Sequence, residues 1–152
     1  MTSSTHLLSE PQEVADVLYD MISEAAGELG IGFVGLNENL RPEYPAVVIL
    51  PGAKINTWHA THTFEVRLEV QIYVYHAKLN SKHATRTRDD LQLCTDIENL
   101  IHSGEMNLDG QVIQCFVQEV HPRRLHRPTG EQVVGTQMIV FIRSQKGFPY
   151  AP

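Results

Sequence analysis

Apolar and polar side chains alternate strictly along Thr63–Tyr75, and this stretch predicts the central strand of the fold. Alternation places successive side chains on opposite faces of a pleated strand, so one face is apolar and the other meets water. At about 3.3 Å per residue the stretch spans roughly 40 Å, whereas a domain of this length has a radius of gyration of about 15 Å. We therefore expect it to cross the domain at the centre of an antiparallel sheet with one covered face. The apolar positions are Phe64, Val66, Leu68, Val70, Ile72 and Val74.

Two amphipathic helices are predicted, one on each side of that strand in the chain. The first follows a capping-box spacing at Ser9–Gln12, with Pro11 in its first turn, and glycines end it by Gly30. Its exposed side carries an acidic outer row. That row is Asp16, Asp20, Glu24 and Glu28. The second helix is predicted from a cap at Asn80 or Ser81 to about His102.

Shorter apolar runs predict three further strands. Ala46–Leu50 is a buried strand that Pro51-Gly52 ends, and 51–61 is then a loop. The segment from Phe33 to Glu43 is expected to be a connector with weak strand character. The last two strands are Val112–His121 and Gln132–Arg143, joined by a basic hairpin tip from His121 to Gly130.

The element order α-β-β-α-β-β predicts a single α+β domain over residues 1–152. We expect a mostly antiparallel four-stranded sheet with both helices packed on one face. Residues 1–10 are expected to form a flexible N-terminal arm, and residues 144–152 a C-terminal arm.

Composition places the chain among ordinary globular proteins, with 42% hydrophobic and 20% charged residues. Its longest apolar runs, Ala46–Leu50 and Met138–Ile142, are too short to cross a bilayer, and Met1–Glu10 is not expected to be a secretory signal. The formal charge of −6 argues against non-specific nucleic-acid binding by the chain as a whole. Cys94 and Cys115 have no metal-ligand spacing and are interpreted as buried thiols.

Outward-facing aromatic and aliphatic residues on two strands suggest a partner surface. If Val134, Met138, Val140 and Ile142 face the core, then Ile139 and Phe141 face outward. Tyr73 and Tyr75 do the same on the central strand. Such residues favour a contact with another molecule, although scattered surface apolar residues are also normal. Further candidate contact residues lie in the 51–61 loop and the C-terminal arm. These are Lys54, Trp58, Phe148 and Tyr150.

The basic tip is the most distinctive chemical feature of an acidic chain. Arg123, Arg124, His126 and Arg127 lie within five positions. A positive finger suits carboxylate or phosphate groups. Contact with a protein is favoured over DNA, because three arginines give few phosphate contacts and no aromatic platform separates them. The alternative is a solvated loop.

No catalytic, cofactor-binding or metal-binding residue is predicted. His59 and His62 have opposite strand parity, and metal sites need three or four converging ligands. The acidic pairs Asp89-Asp90 and Asp96/Glu98 do not share a helix face and are interpreted as solvated helix surface.

The order and texture of these elements resemble a known family. An amphipathic helix precedes the short strand Tyr44-Pro-Ala-Val-Val-Ile-Leu50, then a loop and the long alternating strand Phe64–Tyr75. A capped helix with a Leu93/Ile97/Leu100/Ile101 stripe and a strand pair follow. Over about Glu13–Arg143 the chain resembles the tail terminator (tail completion) proteins of long-tailed bacteriophages. The arginine-rich hairpin and the 51–61 loop are less typical of that family.

The resemblance implies a virion structural subunit, assembled in the host cytoplasm, that forms a hexameric ring. Such a ring caps the tail tube, stops its polymerisation and joins it to the head-tail connector. The implied partners are further copies, the tube protein and the connector or neck protein, with DNA only passing through the lumen. The family has no catalytic residues. A neck, head-completion or tail-tube subunit remains open, as does a small cytoplasmic ligand-binding domain or enzyme.

Overall fold

The computed structural model describes residues 7–37, 43–60, 63–126 and 130–147, without the side chains of residues 59 and 60. The described residues form two helices and a mixed five-stranded sheet with strand order β1-β2-β3-β5-β4. The α+β class is therefore confirmed, and the predicted four-stranded sheet is corrected to five strands. The elements are α1 (Pro11–Leu29), β1 (Phe33–Leu36), β2 (Ala46–Ala60), β3 (Thr63–Lys78), α2 (Arg88–Ile101), β4 (Gln114–His126) and β5 (Gln132–Gly147).

The alternating stretch forms β3, the middle strand of the sheet. It pairs antiparallel with β2 on one side and β5 on the other. The residues from Val66 to Val74 at every second position are buried, as the pattern predicts. These side chains pack against the helices and form a single hydrophobic core between the helix layer and this face of the sheet. The buried helix residues are Val14, Ala15, Leu18 and Ile22 from α1, and Leu93, Cys94, Ile97 and Ile101 from α2.

The predicted connector after α1 contains a strand. β1 lies parallel to β2, with Phe33 opposite Ala46 and Leu36 opposite Ile49. A run of four residues is too short to carry a clear alternation, so only its pairing identifies it. This strand makes the sheet mixed instead of wholly antiparallel.

The strand β2 does not end at Pro51-Gly52 but continues to Ala60. The pairing with β3 shifts between Pro51 and Lys54, which indicates a β-bulge. A bulge tolerates proline, because it interrupts the ladder where the missing N–H would otherwise be needed. Gly52 suits the bulge, since a Cβ there would lie 2.9 Å from the main-chain oxygen of Glu69. The predicted 51–61 loop is therefore largely strand.

Both helices begin later than predicted. Glu10, not Ser9, is the N-cap of α1, and it forms a capping box with Glu13. Thr87, not Asn80 or Ser81, is the N-cap of α2, in a capping box with Asp90. The polar segment before Thr87 is a loop, because the reciprocal Thr87–Asp90 hydrogen bonds fix the helix start there.

The predicted basic hairpin tip is also mostly strand. β4 extends to His126, so Arg123 and Arg124 pair with Gly135 and Val134 of β5. A run of charged residues is typical of a loop, but charged and exposed side chains are also common on an edge strand, and β4 is an edge strand of this sheet.

Parts of both predicted arms are ordered in the structure. β5 runs to Gly147, so residues 144–147 are strand and not arm. The buried Ser144 hydroxyl donates to the Leu8 carbonyl at 2.5 Å, and the Leu8 N–H donates to the Gln111 carbonyl at 2.8 Å. The residues just before α1 are therefore tied to the sheet.

Candidate functional site

The sheet face away from the helices carries an apolar band, defined here as Phe116, Ile139 and Phe141. The register of β4, β5 and β3 places all three on this outer face, as predicted for Ile139 and Phe141. The rings of Phe116 and Phe141 are 5.4 Å apart and tilted by 50°. All three side chains are half-buried. The rings shield each other in part and still leave apolar surface available to a partner.

Of the two tyrosines predicted to face outward, Tyr73 is hydrogen-bonded within the subunit and Tyr75 is half-buried. The Tyr73 hydroxyl donates to Gln71 Oε1 at 2.7 Å, and Gln137 Nε2 lies 3.3 Å from both Gln71 Oε1 and the Tyr73 hydroxyl. Arg123 Nε donates to Gln137 Oε1 at 3.0 Å and continues this polar ladder to β4. Burial raises the pKa of Tyr75. These contacts leave less of the outer face free than the sequence suggests.

The end of the β2–β3 hairpin carries the most exposed large apolar side chains of the described residues. Trp58 is 64% exposed and Ile55 is 58% exposed. Trp58 faces the helix side of the sheet, where its ring packs edge-on against Phe64 at 6.1 Å, and Ile55 faces the other side. Lys54 forms an ion pair with Glu10 at the start of α1. The end of the hairpin therefore presents exposed apolar surface on both faces of the sheet.

A cleft with a volume of about 390 Å³ lies between the β3–α2 connection and the ends of β4 and β5. Its lining combines apolar and cationic residues. These are Ala84, Thr85, Arg86, Leu91, Pro122, Arg123, Arg124, Val134 and Gly135. The fold thus brings Arg86 next to Arg124, which is far from it in the sequence, whereas the side chain of Arg123 lies on the outer face with Gln137. Arg127, Phe148 and Tyr150, also predicted contact residues, lie outside the described residues.

A buried polar cluster lies beside this cleft, and sequence reasoning did not find it. His76 Nε2 is 2.8 Å from Thr136 Oγ1, and Arg86 Nη1 donates to the same hydroxyl at 3.3 Å. His76 Nδ1 is buried 3.6 Å from Asp90 Oδ1, without a hydrogen bond. Cys94 Sγ lies 3.7 Å from His76 Nε2. The signal was present in the sequence, because His76 continues the inward parity of β3.

The electrostatics of this cluster favour a structural role. Burial lowers the pKa of His76 from 6.5 to about 4, and the nearby Asp90 carboxylate opposes this only in part. Burial also raises the pKa of the Cys94 thiol. A nucleophilic cysteine needs an accessible thiolate, whereas here a neutral thiol lies beside a neutral imidazole. Burial likewise raises the pKa of Cys115 to about 12.

Asp90 connects the cluster to the start of α2. Its Oδ2 accepts the Thr87 N–H at 2.9 Å and lies 2.5 Å from His83 Nε2. Burial alone raises the pKa of this carboxyl, but the Thr87 N–H and the His83 ring outweigh that effect and hold it below its usual value. Asp90 is therefore a buried cap residue and not the solvated surface residue that was predicted.

In the part of the chain that the structure describes, no three His, Cys, Asp or Glu side chains come close enough to hold a metal ion. His121 Nε2 lies 2.8 Å from Glu119 Oε1 on the exposed edge strand. His62 and the side chain of His59 lie outside the part of the chain that the structure describes. None of the helices within residues 7–37, 43–60, 63–126 and 130–147 is long and apolar enough to span a bilayer.

No model of a protein family matches this chain, and no curated protein matches it significantly.

Proposed function

We propose that this protein is a virion structural protein, a tail terminator that forms a ring on the end of a phage tail tube and joins the tube to the head-tail connector. The observation that carries the proposal is the apolar end of the β2–β3 hairpin. It carries Trp58 on one face and Ile55 on the other, both more than half exposed. Exposed apolar side chains on both faces of one hairpin suit contact with two other subunits.

The edges of the sheet support a closed ring in preference to an extended fibre. β1 is four residues long, and β4 carries a register shift between Val117 and Glu119 and a proline at Pro122. Short strands, bulges and prolines discourage edge-to-edge pairing without end. Contacts through side chains of two different surfaces can close into a ring when the rotation between neighbours allows it.

The outer-face apolar band and Arg123, which lies on the same face, are the surfaces proposed to contact the tube and the connector. The band offers half-buried aromatic area, and Arg123 offers exposed positive charge in a chain of net charge −6. The acidic balance suits a lumen through which DNA passes without binding, because like charges repel. Assembly in the host cytoplasm and residence in the virion follow from this role.

The first experiment is the mass of the native particle by light scattering over a concentration series. A tail terminator gives a closed particle of fixed subunit number that does not grow further. A matched pair of variants tests the hairpin: Trp58→Ala is expected to weaken assembly, whereas Thr57→Ala, an exposed neighbour on the same strand, leaves it unchanged.

Two other outcomes identify the alternatives. Growth without limit indicates a tail-tube subunit, and a fixed ring that binds the connector but not the tube indicates a neck or head-completion protein. A monomer at every concentration, indifferent to tail tubes, contradicts the proposal. It would favour a small ligand-binding domain that uses the 390 Å³ cleft, and a thermal shift with a metabolite panel would then identify the ligand class.

A further inference from the structure

The helix α1 has an unusual distribution of charge. The helix contains five acidic residues and no lysine or arginine. Four of the acids form the acidic row, and all four are exposed. Like charges four residues apart on a helix repel each other. Within the described residues, no cationic group lies within ion-pair distance of the row. The acidic row is Asp16, Asp20, Glu24 and Glu28.

The cleft beside the start of α2 carries positive charge, opposite to the charge of the acidic row. Arg86 and Arg124 place positive charge around apolar residues that include Leu91, which is 47% exposed. The side chain of Arg123 lies on the outer face with Gln137 and does not add to this charge. Arg86 donates to the neutral Thr136 hydroxyl, and in the described part of the chain neither Arg86 nor Arg124 forms an ion pair. We call this site the arginine cleft.

The two surfaces lie on different sides of the subunit. α1 packs against β1, β2 and β3, whereas α2 packs against β4, and the arginine cleft lies where the α2 start meets the β4 edge. β1 and β4 are the two opposite edges of the sheet. A contact between the acidic row of one copy and the arginine cleft of another therefore joins two different surfaces. The first copy then keeps a free cleft and the second a free row, so further copies can add head to tail until a ring closes.

We propose that the arginine cleft binds the acidic row of α1 from a second copy of this chain. The proposal rests on the proposed function in one respect, because it specifies the contact that repeats around the ring. Guanidinium groups bind carboxylates with two parallel hydrogen bonds, and the apolar part of the cleft can cover the methylene groups of the helix side chains. Docking also removes the like-charge repulsion along α1, which favours the assembled state.

Charge reversal on each surface tests the contact. The row variant is Asp20→Lys with Glu24→Lys, and the cleft variant is Arg124→Glu. All three residues are exposed, and Arg86 is kept because it contacts the buried Thr136 hydroxyl. Each variant alone is expected to weaken assembly by at least about tenfold. The chain that carries all three substitutions is expected to assemble again, since the two surfaces remain complementary.

Mixing the two variants gives a sharper result. The row variant keeps an intact cleft, the cleft variant keeps an intact row, and the two reversed surfaces are complementary to each other. An equimolar mixture is therefore expected to recover assembly with the two chains alternating, whereas each variant alone is expected to assemble weakly. The matched controls change the same number of charges elsewhere: Glu105→Lys with Glu119→Lys, and Lys78→Glu. Both controls are expected to assemble like the wild type.

The assembly of the wild-type protein, compared with that of the variants, distinguishes this contact from the proposed ring. A wild-type ring that both reversal variants also form overturns this contact and leaves the ring proposal standing. A wild type that stays monomeric overturns both. A third result, in which citrate raises the melting temperature of the wild type but not of the cleft variant while no assembly occurs, overturns the second copy as occupant and assigns the cleft to free carboxylates. Loss of the wild-type ring on raising sodium chloride from about 0.01 M to about 1 M supports the contact, because salt reduces the Debye length from about 30 Å to about 3 Å.

Discussion

Replacing Asp90 with alanine is expected to destabilise the fold far more than the same change at an exposed helix residue, which is what the sequence predicts Asp90 to be. The carboxylate accepts the Thr87 N–H at 2.9 Å and lies 2.5 Å from His83 Nε2. It is also the charged group nearest to the buried His76 Nδ1, at 3.6 Å. Alanine removes these contacts together and leaves the first turn of α2 without half of its capping box.

The magnitude follows from the individual contacts. Loss of a helix cap costs about 1 kcal/mol, and loss of a hydrogen bond to a charged group costs about 1.5–3 kcal/mol. Because the contacts share one carboxylate, the expected decrease in the free energy of unfolding is about 2–4 kcal/mol for Asp90→Ala. Asp90→Asn keeps an acceptor for the Thr87 N–H and is expected to lose about half as much. For a domain of this size, each kcal/mol lowers the melting temperature by about 2–4 °C.

The assay is urea unfolding followed by circular dichroism at pH 7, at one fixed protein concentration because assembly adds stability. Asp89→Ala is the matched control. Asp89 is adjacent, exposed and in the same first helical turn, so it is expected to lose only the helix-dipole contribution of about 0.3–1 kcal/mol. Equal effects at Asp89 and Asp90, or a change at Asp90 below about 0.5 kcal/mol, would refute the assignment of Asp90 as a buried cap.

Three further predictions concern the core and the bulge. Gly52→Ala is expected to lower the free energy of unfolding by about 1–3 kcal/mol, because a Cβ would lie 2.9 Å from a main-chain oxygen of β3; Gly27→Ala, with nothing within 4 Å, is expected to stabilise α1 by up to about 1 kcal/mol. Burial lowers the pKa of His76 from 6.5 to about 4, so the unfolded chain binds this proton first and stability is lost as pH falls through that window, by up to about 1.4 kcal/mol per pH unit. The His76→Gln variant should lack that part of the slope in a pH series of urea titrations. The thiols of Cys94 and Cys115 are buried with raised pKa values, so Ellman's reagent at pH 8 should label them only as the protein unfolds; rapid labelling of the native protein would contradict this.

The long elements could be predicted from the sequence because their periodicity is unbroken. β3 alternates over its whole buried length, and α1 has a continuous apolar stripe. The strand β2 could not be followed past Pro51-Gly52, because these residues end a strand in most contexts and only the pairing with β3 identifies a bulge. β1 has four residues and no period to detect.

The candidate surfaces were predicted in part. Parity placed Ile139 and Phe141 on the outer face, and the structure confirms that placement. Parity could not predict the hydrogen bonds that tie Tyr73 into the sheet, since these depend on side chains from neighbouring strands. The arginine cleft requires Arg86 to lie beside Arg124. The two residues are far apart in the sequence, and only the path of the β3–α2 connection brings them together, so the sequence pattern could not predict the cleft.

The edges of the sheet and the proposed contacts support one account of how such a subunit could stop growth. On β4 the Val117 N–H already donates to His102 Nε2 at 2.9 Å, and Pro122 has no N–H to offer. A strand from another subunit would therefore find an interrupted ladder at this edge. The proposed association uses side chains instead, on the end of the β2–β3 hairpin with Trp58 and in the arginine cleft. Side-chain contacts between two different surfaces fix the rotation from one subunit to the next, and a fixed rotation that closes gives a ring with no free end. A tail tube needs the opposite property, an end that always accepts another subunit.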